Sequence, residues 1–132
     1  MRVLQPPEWT PPRGYSNGIE AEGRLVFVAG QIGWNGQGEF ETDDFPGQVR
    51  QALANIVAVL ADAGAEPRHI TRLTWYITDK AEYLANLRQV GAAYRDVIGS
   101  HYPTMTLVQV ADLLEDRAKV EIEATAVVTS DE

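Results

Sequence analysis

The chain contains no cysteine, which excludes disulfides, thiolate nucleophiles and cysteine-based zinc sites. Its only two histidines, His69 and His101, lie far apart with no acid at metal-ligand spacing, so no metal is expected. Basic residues are scarce as well, 11 Lys and Arg against 19 Asp and Glu, for a net charge of -8. That imbalance opposes binding to phosphate backbones, and the basic residues do not cluster, so no nucleic-acid partner is expected. No apolar run is long enough to span a bilayer, and no basic start leads into one. The expectation is therefore a cytoplasmic protein without membrane association. A P-loop, G-x-G-x-x-G, G-x-S-x-G and internal repeats are all missing, and no cofactor is expected.

What is present is 132 residues with 45% apolar content, enough for a core and suited to a single domain over residues 1–132. Pro6, Pro7, Pro11 and Pro12 exclude helix at the start, so residues 1–12 read as an extended arm packing over the domain. Arg24 to Ile32 is nearly continuous in apolar character, as in a strand covered on both faces. Asn35-Gly36 marks a turn. After Thr42-Asp43-Asp44, with Pro46 near the first turn, Val49, Leu53, Ile56, Val57 and Leu60 recur at helical spacing until Gly64. The pattern predicts an amphipathic helix over Gln48 to Leu60.

Leu73, Trp75 and Ile77 alternate with Arg72, Thr74 and Thr78, predicting a strand over Ile70 to Asp79. Asp79 and Glu82 then form a capping-box pattern that opens a second helix, with Leu84, Leu87, Val90, Tyr94, Val97 and Ile98 facing inward and Gly99 closing it. Two strands complete the chain, Tyr102 to Val110 and Lys119 to Val128. In the last, Val120, Ile122, Ala124 and Ala126 alternate with Lys119, Glu121, Glu123 and Thr125. The expected class is α+β, a mixed sheet with two helices on one face. The other sheet face then needs cover, and self-association supplies it.

Pro103, the Val108-Gln109-Val110 strand and Glu121 within Val-Glu-Ile-Glu-Ala together resemble the RidA (YjgF) superfamily. Gly14-Tyr15-Ser16-Asn17-Gly18 and Val28-Ala29-Gly30-Gln31-Ile32 extend the resemblance over nearly the whole chain. It implies a homotrimer, with an architecture shared with chorismate-mutase-like trimers and clefts for small-molecule ligands between subunits. Many members hydrolyse enamines and imines, and some carry an old ribonuclease label.

Carried over residue by residue, the resemblance makes Glu121 the catalytic carboxylate, and it makes Tyr15, Gly30, Gln31, Met105 and Leu107 cleft residues. A carboxylate can move a proton and orient water. On the pattern alone, Glu121 and Glu123 also fit the solvated face of an edge strand. Deaminating members carry an arginine where this chain has Met105, and that arginine pairs with the substrate carboxylate. A thioether offers only weak apolar contact. Another base, Arg13, Arg72 or Arg88, would have to reach the cleft, or the ligand lacks a carboxylate there. Leu107 stands where a cysteine is frequent in the family. Tyr15 fits a ligand-stacking role and a packed turn equally, and Gly30 fits both a close ligand approach and a β-bulge. Trp34 and Trp75 point to an apolar cleft or, as core, to packing.

Two functions follow from the resemblance. One is a deaminase-type hydrolase of an enamine or imine other than 2-aminoacrylate. The alternative is a non-catalytic trimer that binds a small metabolite.

Overall fold

The computed structural model describes residues 1–129. Asp44 sits in extended backbone and its carboxylate accepts from the Gly47 N–H at 2.9 Å, capping α1 (Phe45–Asp62) with Pro46 in the first turn. Gly64, at φ +72°, takes the left-handed conformation that ends it. Val49, Leu53, Ile56 and Leu60 form the buried stripe of α1.

The main sheet has the order β3-β6-β4-β5, where β3 is Arg24–Ile32, β4 Ile70–Ile77, β5 Thr104–Gln109 and β6 Val120–Val128. β4 and β5 are parallel, and the other two pairings are antiparallel. The parallel pair needs a crossover, supplied by helices as expected for such a connection. On one face Val28, Leu73, Trp75, Ile77, Val120, Ile122, Ala124 and Ala126 join the α1 stripe in the core, with Val90, Tyr94 and Ile98 from the crossover. This is the α+β arrangement that the alternation implied.

The second helix differs from expectation. It is split into α2 (Lys80–Ala85) and α3 (Leu87–Val97) at Asn86, whose backbone leaves the helical region at φ -122° and whose side-chain amide donates to Glu82 O at 2.7 Å. An Asx side chain that bonds to the backbone competes with helix continuation. Leu84 and Leu87 do not face inward; both are about half exposed, and Val90 is the first residue of this segment to be buried.

The proline-rich start is not extended throughout. β1 (Arg2–Leu4) pairs with β2 (Gly18–Glu20) in a separate two-stranded sheet, and a turn closes between Pro6 O and Trp9 N at 3.1 Å. Trp9 is exposed rather than packed.

No described helix covers the second face of the main sheet. It presents Leu25 and Phe27 of β3, Arg72, Thr74 and Tyr76 of β4, Glu121, Glu123 and Thr125 of β6, and Val108 of β5. Phe27 is 72% exposed and Leu25 59%, a large apolar pair on the edge strand of this uncovered face. No described helix is long and apolar enough to cross a membrane.

Candidate functional site

On the open face, strand register decides the neighbours of Glu121. Across β4 and β6 it lies opposite Tyr76, and Glu123 lies opposite Thr74. The Tyr76 hydroxyl donates to Glu123 Oε1 at 2.8 Å. That hydrogen bond, then desolvation and the charges of Glu123 and Glu121, holds the Tyr76 pKa above its ordinary value. Glu121 is half-buried on this face.

The β3–β6 ladder breaks between Val28 and Gln31. At that irregularity a Cβ on Gly30 would collide with Glu121 Oε2 and come within 2.8 Å of its carboxyl carbon. The missing side chain is what lets the carboxylate lie against β3. The Gln31 amide turns back on its own strand and donates to Ala29 O at 3.1 Å, not to the carboxylate.

The other predicted residues occupy the opposite face. Met105 pairs with Leu73 and Leu107 with Trp75 in the parallel ladder, which puts both on the helix-covered side. Together with Tyr15 they line a cavity of about 660 Å³ beneath α3. Tyr15 is brought there because the segment before β2 runs along the outer edge of β5. Ser16 N donates to Pro103 O at 3.0 Å, the Ser16 hydroxyl donates to Tyr102 O, and Ser16 bridges Thr104 in parallel fashion. Gly14, at φ +78°, turns the chain into that course.

Tyr83, Tyr94 and Tyr102 form an aromatic wall of the cavity, with the last two rings stacked at 5.3 Å. The Tyr94 hydroxyl donates to His101 O at 2.6 Å. Burial and the adjacent Tyr102 push the Tyr94 pKa far above the phenol's usual value, and burial raises Tyr83. A raised folded-state pKa contributes stability fully below about pH 10, where the unfolded phenol ionises, and that stability is lost as pH rises further. Urea midpoints at pH 9 and pH 11 are therefore expected to fall less for Tyr94→Phe than for the parent. The difference is up to about 1.4 kcal/mol per pH unit above pH 10.

Of the three arginines considered as substitutes for the missing one, Arg13 lines this cavity and Arg72 belongs to the opposite sheet face beside Glu123, while Arg88 lines neither region. Arg95 of α3 also lines the cavity. Sequence reading passed over it, because it follows buried Tyr94 and resembles any charge on a solvated helix face. Trp75 lines the cavity, whereas Trp34 packs against Phe40 at 6.0 Å, away from it. Among the described residues no cluster of His, Asp or Glu is placed to hold a metal ion.

The family pattern described as Endoribonuclease L-PSP matches residues 7–128. The chain belongs to the RidA (YjgF) superfamily. This RidA-family protein is 35% identical to a RutC family protein of Aquifex aeolicus over 130 residues, covering 96% of this chain and 99% of that one. It is 32% identical over 116 residues to the 2-iminobutanoate/2-iminopropanoate deaminase of Escherichia coli strain K12, covering 86% of each chain. Among solved structures it resembles the Rid-family protein YyfB of Yersinia pestis, with a TM-score of 0.85, 33% identity and coverage of 96% and 98%. Escherichia coli TdcF with bound serine aligns with a TM-score of 0.69 at 32% identity, covering 98% of this chain and all of that one. Within the RidA fold, then, this chain presents a carboxylate on one sheet face and an aromatic cavity on the other.

Proposed function

We propose that this RidA-family protein hydrolyses an imine or enamine in a cleft completed by two copies of the chain, the copies forming a homotrimer. One observation carries the reading: Glu121 rests against the vacated Gly30 position on the open face, while Tyr15, Met105 and Leu107 lie on the opposite face of the same sheet. A cleft that uses both sets of residues therefore needs the open face of one copy against the cavity of another. Exposed Leu25 and Phe27 supply apolar surface for such association.

In that cleft Glu121 takes one proton from water as the oxygen adds to the C=N carbon and passes it to nitrogen, giving a carbinolamine; it then takes the hydroxyl proton and delivers it to nitrogen as the C–N bond breaks, the C=O forms and ammonia leaves. An enamine first accepts a proton at its terminal carbon and gives one up from nitrogen, becoming the imine. Kinship with deaminases of 2-imino acids supports the reaction class. The net charge of -8 and the Glu121–Glu123 pair disfavour a phosphodiester substrate.

Met105 argues for a substrate other than 2-aminoacrylate, because a small imino acid would lack its arginine anchor. The same residue favours the second reading, a trimer that binds a metabolite without turning it over.

Complementation separates a shared cleft from one built within a chain. Glu121→Gln and Met105→Glu proteins, each inactive alone, are co-refolded in equal amounts and assayed. In any mixed ring of three, one cleft combines an intact cavity with an intact carboxylate, so activity should return to about a quarter of the parent's. No recovery in demonstrably mixed trimers would rule out the shared cleft. Tight ligand binding without turnover in the parent would favour the binding protein.

A further inference from the structure

The cavity beneath α3 carries charge of one sign. Arg13 and Arg95 are the only charged residues lining it among the described residues, in a chain whose net charge is -8. Neither forms a salt bridge with a described residue, and the acid adjacent to Arg95, Asp96, is held by Arg50 at 2.9 Å. Both arginines line the cavity and are exposed to solvent. A Cβ on Gly91 would come within 3.3 Å of Arg95 Nη1. Glycine one turn earlier thus leaves room for the Arg95 side chain to run back along α3, the direction helical side chains favour.

Behind those two cations the walls are aromatic and apolar. Tyr83, Tyr94 and Tyr102 face the cavity, with Met105 and Leu107 on the strand side. The Trp75 ring lines it too, and its buried Nε1 has no hydrogen-bond partner among the described residues. A buried donor in that state costs free energy, which an acceptor on a ligand reaching the ring would offset. The volume of about 660 Å³ is far more than a three-carbon acid fills and falls in the range of pockets for ligands with rings.

We propose that Arg95, assisted by Arg13, anchors the carboxylate of an aromatic 2-oxo or 2-imino acid whose ring lies among Tyr83, Tyr94 and Tyr102. This deepens the reading of the cavity as one half of the shared cleft and rests on it. The guanidinium takes over the carboxylate pairing that Met105 cannot provide, from a helix instead of from β5, and the displaced anchor leaves room for a bulky side chain between it and the strand.

Calorimetric titration of the intact protein with phenylpyruvate and with pyruvate tests the assignment. Phenylpyruvate is expected to bind at least tenfold more tightly. Arg95→Gln should weaken its binding roughly ten- to a hundredfold, the usual effect of losing a charge-assisted pair. Arg95→Lys, which keeps the charge and the aliphatic stem, should recover part of the loss, and Arg13→Gln should show a smaller one. Equal affinity for the two acids would overturn the proposal, as would phenylpyruvate binding within twofold of the parent in both Arg95→Lys and Arg13→Gln with Arg95→Gln also unchanged. Imine turnover is measured separately on the same proteins. Arginine-dependent binding without turnover leaves the anchor standing and removes the hydrolase, whereas turnover indifferent to both arginines does the reverse.

Discussion

Replacing Glu121 with glutamine is expected to lower imine hydrolysis by about 10²- to 10⁴-fold, the usual contribution of a positioned proton-transfer group. The substitution keeps the size of the side chain beside Gly30, so the fold should be retained. An amide cannot accept the water's proton, and it therefore removes the chemistry without removing the shape. The measurement generates 2-imino acids in place from L-amino acids with an amino-acid oxidase and traps them with semicarbazide, the protein competing with the trap. A variant that competes within twofold of the parent would show that Glu121 is a surface acid of β6. Glu123→Gln is the companion. Its oxygen already accepts from Tyr76, so it should affect the rate far less.

Phe27→Glu should convert the proposed trimer to a species sedimenting at the 14.6 kDa of one chain and abolish activity with it. Phe27, on the edge strand β3, is 72% exposed and is the most exposed aromatic side chain on the face without helices. A carboxylate there, once per copy, must either be buried without a partner, at several kcal/mol each, or keep the faces apart. The single chain loses no core contact, because Phe27 points away from the α1 stripe. Sedimentation that still gives a trimer would mean association uses another surface, and the shared cleft would have to be rebuilt around it.

Much of the architecture was legible because local signals agreed with one another. Asp44, Pro46, the apolar period and Gly64 all specify α1, and alternation specifies β4 and β6. The break at Asn86 was not legible, because the Asp79 cap and the apolar spacing read through it; the competing side-chain bond to Glu82 O is visible only in three dimensions. The site divides in the same way. Glu121, Gly30, Tyr15 and Met105 could each be singled out by motif. Their distribution over two faces depends on β4 standing between β5 and β6, which no local pattern encodes. The same is true of Tyr76. Its bond to Glu123 depends on cross-strand register. Arg95 was missed because an exposed arginine next to a buried tyrosine carries no periodic signal, and only the cavity under α3 distinguishes it.

The break in register between Val28 and Gln31 also bears on how newly made chains meet. β3 is a terminal strand of the main sheet, so its outer edge offers backbone groups to any passing strand, directly beside the exposed Leu25 and Phe27. A flat edge with that sequence would recruit further strands and grow into aggregates. The irregularity interrupts the regular spacing of donors and acceptors that such growth requires. The vacancy at Gly30 that seats the carboxylate thus lies within the same irregularity that spoils the outer edge of β3 as a template for open-ended strand addition.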